Sequence, residues 1–198
     1  KQFKQLTKVS TKEAGGKVVV VAGEGEPSLH RDIRTIVAEI NSSGLIPIIY
    51  SNGSTLNPEL TYFYKKNNAV LVIAFDSLIS QIYDLLNGTN GRFNRTLKNI
   101  KRAIEIYREN ITISDNLNIL NIAINTTVSI VNEDEVVWIK EYWGDEVYFI
   151  CNPTAKLGNA VKNWDRLITD DKSLEKQNEL IKKLSETGGP LTLGSNGL

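Results

Sequence analysis

The sequence predicts an α/β protein in which parallel strands alternate with helices. Short unbroken apolar runs recur along the chain, amphipathic helical segments separate them, and most runs begin about 25 to 30 residues apart. A doubly wound sheet and a (β/α) barrel both fit that spacing. In either fold, ligands bind where the strands end at their carboxyl edge, so the loops after the strands are the candidate site.

The composition bounds the class of protein. The chain has 198 residues, of which 41% are hydrophobic, and this is enough to bury a sizeable core. Its 23 Lys and Arg balance 23 Asp and Glu, which argues against broad nucleic-acid binding. No apolar run approaches the roughly 20 residues that cross a bilayer. With one cysteine and no recognisable signal peptide at Lys1, we expect a cytoplasmic protein that does not bind membranes.

The first two strands are predicted on either side of a helix. Residues 17–22 form a β-branched run typical of a strand buried on both faces, and residues 45–50 form the second strand. A helix is predicted from Ser28, acting as its N-cap, to Gly44, where a glycine suits the end of a helix. The apolar face of this helix is formed by Leu29, Ile33, Ile36, Val37 and Ile40.

The same alternation continues to the end of the chain. Further strands are predicted at residues 69–75, 121–129 and 146–151. One further helix is predicted to begin at Asn57-Pro58, and two more to cover residues 133–142 and 173–184. Another long helix is predicted whose apolar face carries Leu97, Ile100, Ile104 and Tyr107. We expect residues 1–187 to form one barrel-like domain and residues 188–198 to begin a truncated C-terminal extension.

The loop Gly23-Glu-Gly-Glu-Pro27 is the most informative segment. Its two glycines allow unusual dihedral angles and close approach of a ligand, and its two carboxylates disfavour a phosphate but suit an ammonium group. A dinucleotide fingerprint requires glycine at position 28, which is Ser28. The alternative interpretation is a tight structural turn with solvated acidic side chains.

A family resemblance extends from this loop along most of the chain, from Lys17 to Gly194. Residues 22–33 followed by Ile48-Ile-Tyr-Ser-Asn-Gly53 resemble the radical S-adenosylmethionine (SAM) enzymes, in which a G-G-E-P-type segment ends the second strand and a T-N-G-type segment ends the third. Later segments resemble the same family in order and spacing: Phe75–Leu78, Tyr83-Asp84, Leu86–Gly88, Gly91–Phe93, Ile124–Val128, Asn132–Val136, Asn163–Asp165 and Gly189–Gly194.

The resemblance implies a partial (β/α)6 barrel of parallel strands that binds SAM against a [4Fe-4S] cluster. Such enzymes cleave SAM reductively to a 5′-deoxyadenosyl radical, which abstracts hydrogen from substrate. By the same resemblance Glu24, Gly25, Glu26 and Pro27 hold the methionyl amino group, and Asn152 lies near the adenine. Ser51, Asn52, Asp76, Ser77, Asn125 and Thr127 line the ribose, carboxylate or substrate side. No catalytic residue is assigned.

The cluster ligands of this family are three cysteines spaced C-x3-C-x2-C after the first strand. This chain has a single cysteine, Cys151, which is better interpreted as a small buried hydrophobic residue, and it has no methionine. We therefore expect the sequence to begin inside a longer chain whose cluster cysteines lie upstream of Lys17. Auxiliary clusters are a further option in this family.

The sequence leaves three functions open. Asn163-Trp-Asp165 and the tail at 189–194 favour a peptide- or protein-modifying enzyme, with a small-molecule substrate as the alternative within the class. A barrel that lost its cluster and acts as a binding subunit is a second hypothesis, and a generic sugar- or nucleotide-binding domain is a third. The expected partners are the substrate and a reductant protein.

Overall fold

The computed structural model describes residues 15–23, 25–109, 120–155, 161–162, 164–168 and 171–186. Within them lies one five-stranded parallel sheet in the order β1-β2-β3-β4-β5. The strands are β1 (Val18–Val21), β2 (Ile46–Ser51), β3 (Val70–Ala74), β4 (Ile122–Val128) and β5 (Tyr148–Pro153). The predicted α/β class is confirmed, and the open sheet is consistent with a partial barrel.

Helices connect the strands in the predicted alternation. They are α1 (Ile33–Ser42), α2 (Pro58–Lys66), α3 (Ser80–Asn87), α4 (Phe93–Arg108), α5 (Val136–Trp143), α6 (Trp164–Leu167) and α7 (Asp171–Glu186), with 3-10 turns at Pro27–Leu29 and Glu133–Glu135. Asn57 caps α2 through its side chain, which accepts a hydrogen bond from Leu60 N, and Pro58 occupies the first turn as predicted. Among the described helices, none is long and apolar enough to span a bilayer.

The chain divides into two compact units. Among the described residues, unit 1 contains those of 15–73, 95–109 and 120–122, and unit 2 contains those of 74–94 and 123–186. In unit 1, Val37 and Ile40 of α1 are fully buried, as are Ile49 of β2 and Ile100 of α4. In unit 2 the corresponding core residues include Phe75, Ile124, Val136, Ile139 and Cys151. The expected division at residue 188 lies outside the described residues.

The expectation that strand 17–22 is buried on both faces is wrong. Val18 and Val20 are 48% and 54% exposed, because no described element covers the face of β1 on which they lie; β1 is also one of the two edge strands of the sheet. An unbroken valine run has the same sequence signature on an edge as in the centre of a parallel sheet, so the pattern alone could not distinguish the two.

The predicted N-cap at Ser28 is also wrong. The segment after β1 forms the short 3-10 turn, whose N-cap is Glu26, and the α-helix begins only at Ile33. Leu29 is consequently 72% exposed instead of lying on the buried face of α1. A second unpredicted element is α3, which ends at Gly88 with φ of 60°.

Candidate functional site

In unit 1, the loops after β1 and β2 are joined by the Glu26 carboxylate. Oε1 of Glu26 accepts hydrogen bonds from Ser28 N at 3.1 Å and from Ser51 Oγ at 2.9 Å, and Oε2 accepts one from Asn52 N at 2.7 Å. Glu26 forms no ion pair with a residue of the described part of the chain. One half-buried carboxylate therefore fixes the spacing between the two predicted SAM-binding loops.

The loop after β2 is closed by its own side chains. Ser51 Oγ accepts a hydrogen bond from Gly53 N at 3.0 Å, and Asn52 Oδ1 accepts bonds from Ser54 N and Ser54 Oγ at 3.0 and 2.7 Å. Gly53 has φ of 73°, and a Cβ there would lie 3.1 Å from methyl carbons of Ile73 and Thr96. Glycine is therefore required at this position both for its backbone conformation and for packing.

These contacts change how the Gly23–Pro27 loop would hold a cation. The Glu26 carboxylate accepts three hydrogen bonds, two at Oε1 and one at Oε2, so these bonds leave only one acceptor position, on Oε2. Gly25 has φ of 154°, its N donates to Gly23 O at 2.9 Å, and no described residue donates to Gly25 O. Among the described residues of the loop, the backbone carbonyl of Gly25 is thus an available acceptor for an ammonium group. Glu24 lies outside the described residues, and Pro27 begins the 3-10 turn.

In unit 2, Asp76 follows β3 and lies beside the end of β4. Its Oδ1 accepts a hydrogen bond from Thr127 N at 2.8 Å, and its side chain forms no ion pair with any described residue. Dense surrounding protein raises the pKa of Asp76 from 3.8 to about 6, with the Thr127 bond acting in the opposite direction. Asp76 remains partly accessible to solvent, so it can meet a ligand.

The end of β4 and β5 presents a row of neutral polar side chains. Asn125 and Thr127 alternate with the buried Ile124, Thr126 and Val128, so they share one face of β4. Thr127 pairs in register with Asn152 of β5, and Asn152 Nδ2 donates to Asn125 Oδ1 at 2.8 Å. Amide and hydroxyl groups arranged in this way offer both donors and acceptors to a polar ligand.

Two buried polar residues, Glu135 and Asn132, bond to candidate site residues of unit 2 and were not predicted as part of the site. Ser77, predicted to line the cavity, is fully buried, and its hydroxyl donates to the Glu135 carboxylate at 2.8 Å. Glu135 is 4% exposed and also accepts a hydrogen bond from Leu78 N at 2.9 Å. Asn132 is 1% exposed and bonds to the backbone of Asp76 and Thr127. The sequence offered a weak signal, because acidic residues at 133–135 equally suit a helix N-terminus.

Cys151 is a structural residue. It is fully buried, and burial together with the charge of Asp76 raises the pKa of its thiol to about 12. A buried thiol of this kind packs as a small apolar side chain. Among the described residues there is no group of three or more His, Cys, Asp or Glu that could hold a metal ion.

Comparison with known proteins identifies a likeness in fold. The structure of TYW1 with a lysine-pyruvate adduct bound superposes with a TM-score of 0.54 at 15% sequence identity, over 94% of this chain. The chain spans 59% of the length of that structure's chain. No protein-family model matches the sequence, and no curated protein matches it significantly.

Proposed function

We propose that this chain is the SAM-binding barrel of a radical SAM enzyme. The observation that carries the proposal is the Gly-Glu-Gly-Glu-Pro loop, held by Glu26 to the Ser-Asn-Gly loop of the neighbouring strand. The fold likeness to TYW1, a radical SAM enzyme, supports it, as does the order of the sequence motifs. SAM supplies the radical chemistry once it is cleaved, and these residues bind and orient it.

Each unit, taken by itself, offers polar groups of a kind that SAM requires. In unit 1, Gly25 O suits the methionyl ammonium as a hydrogen-bond acceptor, and the nearby negative charge of Glu26 favours a cation. In unit 2, Asp76, Asn125, Thr127 and Asn152 offer acceptors and donors of the kind that ribose hydroxyls and adenine require.

The iron-sulfur cluster does not fit the residues of this chain. Three thiolates are required, whereas the sequence has one cysteine, and that side chain is buried. Cluster cysteines upstream of Lys17 are consequently part of the proposal. The same single cysteine favours a second candidate function, a barrel that binds SAM or a related nucleoside without cleaving it.

A measurement of 5′-deoxyadenosine separates the two candidates. The longest natural chain containing residues 1–198 is reconstituted anaerobically with iron and sulfide, reduced with dithionite and incubated with SAM. The enzyme hypothesis predicts 5′-deoxyadenosine, a large decrease in Asp76→Ala, and an unchanged yield in Glu59→Gln, an exposed residue on α2. A protein that binds SAM but forms no 5′-deoxyadenosine would support the non-catalytic candidate.

We further propose a peptide or protein as the substrate, on the sequence resemblance at Asn163–Asp165 and 189–194. Both segments include residues outside those that the structure describes. Transfer of deuterium from a labelled peptide into 5′-deoxyadenosine would support this class. Transfer from a labelled small metabolite, with none from peptides, would replace it with the small-molecule alternative.

A further inference from the structure

The segment from Ser129 to Glu135 forms hydrogen bonds with predicted ligand-binding residues of unit 2. Asn132 Nδ2 donates to Asp76 O at 2.7 Å and to Thr127 O at 3.0 Å. Its Oδ1 accepts bonds from Ser129 N at 2.8 Å and Ser129 Oγ at 3.1 Å. Both amide hydrogens and both lone pairs of one buried side chain are therefore used, and two of these four bonds reach candidate site residues.

These bonds close a ring that includes the Asp76 carboxylate. Thr127 donates its N–H to Asp76 Oδ1, while the carbonyls of Thr127 and Asp76 both accept from Asn132. Asn132 therefore binds the carbonyl groups of Asp76 and Thr127, the two residues that are joined by the bond from Thr127 N to Asp76 Oδ1. The Glu135 carboxylate fixes the two residues that follow Asp76, because it accepts hydrogen bonds from Ser77 Oγ and Leu78 N.

We propose that Asn132 is a positioning residue that sets the orientation of the Asp76 carboxylate at the end of β4, with Glu135 fixing the residues that follow Asp76. Its effect on SAM rests on the proposed function, whereas its effect on Asp76 does not. Asn132 touches no ligand in this proposal and acts only through the two backbone carbonyls.

The first test measures Asp76 itself. We titrate the carboxyl carbon of Asp76 by NMR in the wild type, in Asn132→Ala and in the matched control Asn87→Ala, whose amide donates to Tyr83 O within its own helix. Loss of the Thr127 hydrogen bond is expected to raise the pKa of Asp76 by about one unit in Asn132→Ala alone. Equal pKa values in all three folded proteins would overturn the proposal, even if Asn132→Ala melts at a lower temperature.

Amide exchange of the wild type keeps the proposal testable if Asn132→Ala does not fold. Leu78 N and Thr127 N donate to the carboxylates of Glu135 and Asp76, so both amides should exchange slowly. Exchange as fast as that of an exposed amide at both positions would contradict the positioning role.

The second test asks whether the hydrogen-bonded ring of Asn132, Asp76 and Thr127 affects the binding of SAM. In an active preparation, Asn132→Ala should raise the KM for SAM about tenfold while kcat changes much less, since a misplaced hydrogen-bond partner weakens binding by about that factor. An unchanged KM would overturn the link to SAM. Failure of the wild type to form 5′-deoxyadenosine would instead refute the proposed function, and the Asp76 titration would still decide the role of Asn132.

Discussion

Replacing Glu26 by Gln tests whether one carboxylate holds the loops of unit 1 together. In the wild type, Oε1 accepts bonds from Ser28 N and Ser51 Oγ, and Oε2 accepts the 2.7 Å bond from Asn52 N. A glutamine keeps one accepting oxygen and places an NH2 group where the second oxygen was. That group would face a donor, so at least one hydrogen bond is lost and one N–H is left without a partner.

The expected cost follows from these contacts. A hydrogen bond to a charged group contributes about 1.5 to 3 kcal/mol, and Glu26 is half-buried, so we expect the lower part of that range, about 1.5 to 2 kcal/mol. The control is Glu59→Gln, which removes the same charge from a side chain that is 82% exposed and paired with Arg34. An exposed pair of this kind is expected to contribute less than about 1 kcal/mol.

Urea unfolding of the three proteins provides the measurement. The midpoint should decrease clearly in Glu26→Gln and little in Glu59→Gln, with the same slope in all three. If Glu26→Gln is as stable as Glu59→Gln, the role that we assign to Glu26 in holding the loops after β1 and β2 together is refuted.

Two further predictions concern Asp76 and Gly53. The raised pKa of Asp76 means that the folded state binds a proton more readily than the unfolded state, so this group's contribution to stability is lost as pH rises from about 4 through about 6. Asp76→Asn should therefore stabilise the protein by about 1 to 2 kcal/mol at pH 7 and by almost nothing at pH 3.5, and equal effects at both pH values would contradict the assigned pKa. Gly53→Ala should destabilise the protein by about 1 to 3 kcal/mol more than the control Gly44→Ala, as measured by thermal unfolding. Both glycines have positive φ, but only a Cβ at position 53 would meet packed methyl groups. Equal losses of stability would show that the packing around Gly53 relaxes freely.

The fold could be predicted from the sequence because its signals are local. Apolar runs of strand length and the Asn57-Pro58 cap each specify their element without distant contacts. The edge position of β1 could not be predicted, because it depends on which strand has no neighbour and not on the residues of the strand. The length of α1 was overestimated for a related reason, since the Glu26 side chain caps the 3-10 turn that replaces its first residues.

The candidate site was predicted in part. Asp76 follows β3, Asn125 lies in the middle of β4, and Thr127 and Asn152 lie near the ends of β4 and β5. Sequence reasoning could not distinguish residues that stay partly exposed there from residues that hold the loops by hydrogen bonds. Glu26 and Ser51 proved to bond to each other, and Ser77 proved to be buried.

The buried residues Asn132 and Glu135 gave only a weak sequence signal. Asn132 bonds to Asp76, and Glu135 to Ser77 and Leu78, all more than fifty residues earlier in the chain, in the segment after β3. Polar residues at these positions look like an ordinary helix start. Only the fold brings them to the peptide groups that they hold.

Calorimetric titration of SAM into the reconstituted protein tests whether the residues at the carboxyl ends of the strands bind SAM. We expect one saturable site, with affinity reduced about tenfold or more in Asn152→Ala and unchanged in Glu59→Gln. The absence of saturable binding, or equal affinity in all three proteins, would refute SAM binding by these residues.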